Sequence, residues 1–246
     1  MTDSSYLYEY PELITGKLIK RYKRFLADIE LETGDVVTAP CANTGPMIGV
    51  SQVSSKVMLS RSNNPKRKLP YSWELIDVSE DENKPVWVGV NTALPNKVIK
   101  LALQRHLIPA LANQYTNVRS EVKYGQEGKS RIDFLLTGDD TPDIYVEVKN
   151  TTLAEGKLAL FPDTETTRGQ KHLRELMALP KETKKVMLYF INRSDCDSFN
   201  AAHQYDPKYG QLFNEAIEAG VMILPCRFDV SPQGVKYLGQ ATLVSS

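Results

Sequence analysis

The hydrophobic pattern of the chain changes near Asn91, and this change limits the folds that the chain can adopt. Up to that point, from Gly16 onward, short β-rich runs alternate with turn residues and show almost no helical periodicity. The clearest runs are residues 36–38, 47–50, 57–59, 73–78 and 86–90. Five or six short strands at this spacing predict a small barrel over residues 1–91, with an OB-like barrel as the first choice.

The remainder of the chain, residues 92–246, combines helical and strand patterns. A helix capped by Asn96 is predicted over residues 96–112, and two more over about 168–179 and 207–219. Strands are predicted at residues 119–124, 131–136, 144–149, 185–191 and 221–224, and the tail from Ser231 is expected to be loop plus one short strand. This order predicts a mixed sheet covered by helices, so the whole chain is expected to be α+β.

Composition excludes several classes of protein. The 246 residues include 30 basic and 30 acidic side chains, and 41% are hydrophobic, which is typical of an ordered globular chain. The longest apolar run, residues 186–191, is far shorter than the ~20 residues that span a bilayer. Three widely spaced cysteines fit neither a disulfide framework nor a zinc cluster. We therefore expect a cytoplasmic protein with no membrane partner.

Two strand-like segments flank a turn rich in Gly, Asp and Pro, at residues 130–149. In the second strand, the period of two puts Glu147 and Lys149 on the same face. If the turn is centred near Asp140, Asp133 lies opposite Glu147, with Cβ atoms about 4.5–5.5 Å apart. The hairpin therefore predicts a pair of neighbouring carboxylates with an ammonium group beside them.

Such a pair suits a hard divalent cation. Mg²⁺ and Mn²⁺ choose oxygen ligands and keep several waters, so Asp133 and Glu147 are the candidate metal ligands. Lys149 is a candidate catalytic residue, because an amine there can orient a metal-bound water or stabilise charge on a phosphate.

The Asp, then Glu-x-Lys pattern resembles the signature of the PD-(D/E)xK superfamily of restriction-endonuclease-like proteins. The proline of that signature is absent, since Ile132 precedes Asp133. The resemblance implies a nuclease-like mixed α/β domain over residues 92–246. A solvent-facing Glu147/Lys149 pair with no catalytic role stays open as the alternative.

The helix predicted after this hairpin carries further polar candidates near its N-terminus. Gln170 lies along the edge of the buried stripe and is a candidate catalytic residue. Arg168 and Lys171 are candidate phosphate contacts, because helix N-termini favour anions. A capped surface helix with solvated charges remains the alternative.

Two basic patches in the predicted barrel are candidate nucleic-acid contacts. Aromatic residues lie within or close to both patches, as stacking surfaces for bases would. Their cations are Lys20, Arg21, Lys23 and Arg24 in the first patch and Arg61, Lys66, Arg67 and Lys68 in the second. A purely solubilising role for each patch stays open.

Several longer segments are similar to the sugar fermentation stimulation protein A family. The matching segments are residues 21–28, 43–45, 91–96, 130–135, 147–150, 160–163 and 168–173. The resemblance implies an N-terminal OB-like domain, a C-terminal nuclease-like domain, non-specific DNA binding and a regulatory part in maltose metabolism. Pro40 and Ala42 depart from the residues that usually flank Cys41 in that family.

Two functions are expected from these patterns and from the family resemblance, which alone implies the role in sugar metabolism. The first is non-specific DNA binding with a regulatory role in maltose or sugar metabolism. The alternative is Mg²⁺-dependent phosphodiester hydrolysis by Asp133, Glu147 and Lys149. Homo-oligomerisation is left open by the sequence.

Overall fold

A six-stranded antiparallel sheet forms the first half of the computed structural model, which describes residues 6–81, 83–124 and 130–244. Strand β1 (Tyr8–Glu9) precedes it and pairs elsewhere, with a strand near the C-terminus. The sheet itself contains β2 (Leu13–Tyr22), β3 (Leu26–Leu31), β4 (Val36–Pro40), β5 (Lys56–Arg61), β6 (Tyr71–Asp77) and β7 (Trp87–Gly89). Its order is β4-β3-β2-β5-β6-β7, so consecutive hairpins build most of it.

The six-stranded sheet encloses its own hydrophobic core. Alternate residues of the strands, among them Leu18, Ile29 and Trp73, are buried against one another. The run at residues 47–50 was predicted as a strand and is instead a turn, because Met47 and Gly49 have positive φ. Met47 and Val50 are buried and Ile48 is exposed, so the apolar run reflects a buried turn with one exposed side chain rather than a strand.

A seven-stranded mixed sheet forms the second half. Besides β1, its strands are β8 (Asn117–Tyr124), β9 (Ser130–Gly138), β10 (Thr141–Thr151), β13 (Lys184–Ile191), β15 (Met222–Ser231) and β16 (Gly234–Gln240). Their order is β1-β16-β15-β13-β10-β9-β8, with parallel pairing among β10, β13 and β15 and antiparallel pairing at both edges. A small sheet of β11 (Leu153–Glu155), β12 (Leu158–Phe161), β14 (Ser198–Ala201) and β17 (Thr242–Leu243) lies beside it.

The helices cover both faces of the larger sheet. One face packs against α1 (Leu94–Gln104), and the other packs against α2 (Thr167–Met177) and α3 (Pro207–Glu218). Helix α1 begins earlier and ends earlier than predicted, and Ala93 rather than Asn96 is its N-cap residue. Asn96 is therefore free of a capping role and lies in the first turn. None of the helices among the described residues is long and apolar enough to span a membrane.

Candidate active site

The hairpin of β9 and β10 brings Asp133 and Glu147 together. Ile144 pairs with Leu136 and Val146 with Phe134, which is the register predicted for a turn centred near Asp140. At the next position, the backbone N–H of Val148 donates to Oδ2 of Asp133 at 2.7 Å. The two carboxylates thus belong to neighbouring strands at the same level of the sheet.

Asp133 is held in place by two donors and is electrostatically strained. The Nδ2 group of Asn96 on α1 donates to its Oδ1 at 2.8 Å, in addition to the Val148 N–H. Burial, and then the negative charge of Glu147, raise the pKa of Asp133 to about 6. A positive charge placed between the two carboxylates would relieve this repulsion.

Glu147 is 2% exposed, and its two oxygens have different surroundings. Oε1 accepts from Nζ of Lys149 at 2.7 Å and contacts Nδ1 of His172. Oε2 is buried and has no hydrogen-bond partner among the described residues. Burial acts to raise the pKa of Glu147, but His172 and Lys149 outweigh it and hold the pKa below its usual value. Glu147 is therefore a buried anion, and one of its oxygens makes no hydrogen bond within the described parts of the chain.

A short chain of polar contacts continues from Glu147 to the surface of α2. Nζ of Lys149 lies 2.8 Å from Nδ1 of His172, and Nε of Arg168 donates to Nε2 of His172 at 3.4 Å. Nδ1 of His172 thus lies against both an acceptor, Oε1 of Glu147, and a donor, Nζ of Lys149, while Nε2 faces the Arg168 guanidinium. His172 therefore orients Glu147, while Lys149 provides the positive charge beside it.

Gln170 and Lys171 lie on α2 but make other contacts. The amide of Gln170 donates to both carboxylate oxygens of Asp206 at 3.1 Å, and Asp206 in turn caps α3 by accepting from the Tyr209 N–H. Lys171 is exposed and forms an ion pair with Glu175 at 3.5 Å. The hydrogen bonds of Gln170 thus join α2 to α3 and do not reach the acid pair.

The first basic patch of the six-stranded sheet is largely engaged within the protein. The Arg21 guanidinium donates to the backbone oxygens of Arg24, Asn43 and Gly45, and that of Arg24 donates to the oxygen of Thr44. Lys20 forms an ion pair with Asp28 at 3.4 Å, and Lys23 is exposed in the turn after β2. Arg21 and Arg24 therefore fasten the loop at residues 43–46.

The second basic patch lies on an exposed loop between β5 and β6. Lys66, Arg67 and Lys68 are exposed in this loop, and Arg61, the last residue of β5, is exposed beside it. The Arg67 guanidinium donates to Ser72 Oγ at 2.7 Å, which ties the loop back to β6. The lysines on either side of it project from the surface.

The fastened loop also contacts the second half of the chain. The backbone N–H of Met47 donates to Asp163 Oδ2 at 3.2 Å, and the Thr92 hydroxyl donates to the Ala42 oxygen. A cavity of about 170 Å³ lies between them, lined in part by Asn43, Thr92 and Asp163. The two sheets are thus joined next to the N-terminal end of α1, the helix that supplies Asn96.

Comparison with known proteins identifies the family. Residues 93–234 match the family described as the sugar fermentation stimulation protein RE domain, and residues 19–90 match the SfsA N-terminal OB domain. The chain belongs to the sugar fermentation stimulation protein (SfsA) family. The SfsA homologue of Picosynechococcus sp. is 62% identical over 98% of this chain and 94% of its own length. That of Crocosphaera subtropica is 60% identical over 98% of this chain and 99% of its own length.

A solved SfsA structure has the same fold. The structure of Pyrococcus furiosus SfsA in complex with Ca²⁺ has a TM-score of 0.85 to this chain and covers 98% of it and 99% of its own chain, at 24% identity. Together with the family matches, this confirms the predicted fold class, an N-terminal OB fold followed by a C-terminal α/β domain.

Two site residues, Asn96 and His172, were missed by sequence reasoning. Both lie within segments that resemble the SfsA family, but Asn96 was interpreted as a helix cap and His172 was assigned no role. A signal for His172 was available, since residues four apart on a helix share a face, and His172 follows Arg168 by four. No comparable signal shows which strand residue Asn96 reaches, because that contact joins residues 37 positions apart.

Proposed function

We propose that the chain is a divalent-cation-dependent phosphodiesterase that acts on nucleic acid, with its site at Asp133, Glu147 and Lys149. The observation that carries this proposal is Oε2 of Glu147, which is buried near a second carboxylate and has no hydrogen-bond partner within the described parts of the chain. Buried charged oxygens are nearly always paired, so an unpaired one indicates a missing ligand of positive charge.

The ligand set fits a hard cation. Asp133 and Glu147 offer carboxylate oxygens from adjacent strands, and Mg²⁺, Mn²⁺ and Ca²⁺ all prefer oxygen. No group of three or more His, Cys, Asp or Glu side chains is arranged around a common ion within the described parts of the chain. Waters and a substrate phosphate would therefore complete the coordination, as Mg²⁺ usually allows. The Ca²⁺ named in the Pyrococcus furiosus structure belongs to the same class of ion.

The remaining side chains have distinct tasks in this proposal. Lys149 holds a positive charge next to the acid pair, where it neutralises the phosphate and positions the attacking water. His172 and Asn96 are positioning residues, since each fixes one carboxylate through a hydrogen bond. A bound divalent ion would supply Lewis-acid polarisation of the phosphate and activation of water.

A cleavage assay tests this proposal. Purified protein is incubated with DNA and with RNA in Mg²⁺, in Mn²⁺ and in a chelator, alongside Asp133→Asn and the control Asp140→Asn. Asp140 is an exposed acid in the β9–β10 turn, so its variant makes the same chemical change outside the site. We expect metal-dependent cleavage that Asp133→Asn abolishes and Asp140→Asn retains. Equal cleavage by all three proteins would indicate a contaminating nuclease, and an absence of cleavage with every metal would reject the proposal.

A second function, non-specific DNA binding by the six-stranded sheet, is favoured by exposed cations at the end of β5 and in the loop that follows it: Arg61, Lys66 and Lys68. Cations on an exposed loop contact phosphates without reading bases, so the logarithm of the affinity should fall linearly with the logarithm of the salt concentration. A regulatory role in maltose or sugar metabolism would act through this binding and is supported by family membership alone. Binding of unrelated DNA sequences at equal affinity, measured across a salt series, is the expected result. Affinity that does not change with salt would contradict it.

A further inference from the structure

A groove of about 660 Å³ lies between α2 and the edge of the larger sheet, and neither proposed function accounts for it. Its walls come from β8, β10 and α2 and the segment that follows α2. The residues important for its chemistry are Lys123, Tyr124, Tyr145, Lys171, Arg174 and Glu175. This volume is within the roughly 300–1,000 Å³ of typical ligand sites.

The groove adjoins the proposed phosphodiesterase site. Tyr145 precedes Glu147 by two residues on β10, so the two side chains project from the same face of the sheet. Lys171 directly precedes His172 on α2. Tyr124 is buried between the two regions, where burial, and then the charges of Glu147 and Glu175, raise its pKa. A molecule whose phosphate lies at Glu147 can therefore extend directly into the groove.

The charge of the groove suits a polyanion. Lys123, Lys171 and Arg174 are exposed cations on its two walls. Among the described residues that line the groove, the acid is Glu175, and the wall itself engages it. It accepts from the hydroxyls of Tyr124 and Ser130 and pairs with Lys171. Arg174 and Lys123 thus present positive charge to the space that the groove encloses.

The groove also contains an aromatic surface. The Tyr145 ring is half-buried and lies 6.0 Å from the Tyr124 ring, at an interplanar angle of 44°. The hydroxyl of Tyr124 donates to Glu175, which fixes the Tyr124 ring, and this ring packs against Tyr145 and limits its movement. A supported tyrosine ring beside phosphate-binding cations is the arrangement with which proteins hold unpaired bases.

We infer that this groove holds an unpaired nucleotide next to the phosphate that is cut, which makes single-stranded or locally unpaired nucleic acid the substrate class. This inference rests on the proposed phosphodiesterase function. In a duplex the bases are stacked and paired, so a base reaches Tyr145 only when it is already unpaired or when unstacking energy is spent.

Binding without cleavage tests the inference. Fluorescence anisotropy in excess chelator compares a labelled single-stranded oligonucleotide with the duplex of the same sequence, for the wild type, Tyr145→Phe and Tyr145→Ala. We expect the single strand to bind at least about tenfold more tightly than the duplex, and Tyr145→Ala to lose about 5- to 150-fold of that affinity. Tyr145→Phe keeps the aromatic ring and should bind the single strand with the affinity of the wild type. Equal binding of strand and duplex, or full affinity in Tyr145→Ala, would overturn the inference.

A charge variant and a crosslink make the result independent of any folding defect in Tyr145→Ala. Lys171→Gln with Arg174→Gln should weaken single-strand binding and reduce its salt dependence, whereas Lys100→Gln, an exposed control on α1, should not. In the wild-type protein, a single strand that carries 5-iododeoxyuridine should photocrosslink to Tyr145 or Tyr124, mapped by mass spectrometry. Crosslinks confined to the six-stranded sheet would assign strand binding to that sheet and reject the groove.

These measurements separate the two proposals. If the protein fails to cleave but binds single strands through Tyr145 in chelator, the phosphodiesterase proposal is rejected and nucleotide binding in the groove is supported. If it cleaves with Mg²⁺ and shows no preference for single strands, the phosphodiesterase proposal is supported and nucleotide binding in the groove is rejected.

Discussion

The two charged regions of the molecule use their side chains in opposite ways. In the six-stranded sheet, Arg21 and Arg24 direct their guanidinium groups at backbone oxygens of one loop. At the β9–β10 hairpin, Glu147 is more deeply buried than either arginine, yet one of its oxygens has no partner among the described residues. The terminal nitrogens of Arg21 donate to loop oxygens, so the fold explains the position of this cation even though its Nε has no partner among the described residues. The unpartnered oxygen of Glu147 lies instead in a buried carboxylate next to a second acid, Asp133, and this requires another explanation.

This difference changes the interpretation of clusters of like charge. The basic run of residues 20–24 has the composition of a nucleic-acid surface, but two of its cations are structural. Asp133 and Glu147 are a weaker signal in the sequence, because only two side chains are involved. In the structure, however, they form a buried pair of carboxylates, which is the more unusual environment. Which groups remain unsatisfied after folding is therefore more informative than how many charges the sequence concentrates.

The largest expected effect is a loss of metal affinity when Glu147, which carries the unpaired oxygen, is replaced. Glu147→Gln replaces the anion by a neutral amide of the same shape, so we expect it to weaken Mn²⁺ binding at least about 100-fold, since loss of a supporting residue alone costs about 10–100-fold. Isothermal titration measures this directly. In the wild type, saturating Mn²⁺ should also raise the unfolding temperature, because the ion binds the folded state. An unchanged Mn²⁺ affinity in Glu147→Gln would remove the distinction between the two regions.

The next effect tests whether the residues around the acid pair position it. Asn96→Ala and His172→Ala should each lower Mn²⁺ affinity by about 10–100-fold, because each loses the hydrogen bond that orients one carboxylate. His172→Gln, which can still donate to Glu147, should recover part of the affinity. Equal affinity in Asn96→Ala, His172→Ala and the wild type would show that their contacts are only structural.

The hairpin that carries the acid pair was predictable, because its geometry is local. The alternation of Ile144, Val146 and Val148 fixes the face of Glu147, and a short turn fixes the register with Asp133. The contacts of Asn96 and His172 depend on how two helices pack against the sheet, and neither periodicity nor propensity encodes that. The same limit applies to Arg21, two of whose partners, Asn43 and Gly45, lie 22 and 24 residues away.

The smaller sheet and the start of the chain show a second limit. Strands β11, β12, β14 and β17 are two to four residues long, too short for a periodic pattern to appear. Strand β1 precedes the six-stranded sheet in sequence but pairs with β16 of the larger sheet, although residues 1–91 were predicted to form one domain. The division of the chain into domains at residue 91 therefore stays a prediction, and the pairing of β1 with β16 argues against including the first strand in the N-terminal domain.

Arg21 tests the opposite side of the comparison. Arg21→Ala removes donors from the oxygens of Arg24, Asn43 and Gly45, so we expect the free energy of unfolding to fall by about 1.5–3 kcal/mol, as for charged hydrogen bonds. Arg21→Lys keeps the positive charge but lacks the planar guanidinium with its several N–H donors, so it should recover little of this stability. Urea denaturation measures the stability. If instead DNA affinity falls while stability is unchanged, Arg21 belongs to the binding surface.

The smallest effect is expected on DNA affinity, when exposed lysines that make no contact important for the fold are replaced. Lys66→Glu with Lys68→Glu should weaken binding to all DNA sequences alike and reduce the slope of log affinity against log salt by about 2, one for each lost phosphate contact. Both side chains are exposed, so the urea midpoint should not change. Lys100→Glu with Lys84→Glu, two other exposed lysines, provides the control for net charge alone. A similar loss in that control would mean that overall charge, rather than the loop between β5 and β6, governs DNA binding, and the six-stranded sheet would then have no cation assigned to phosphate.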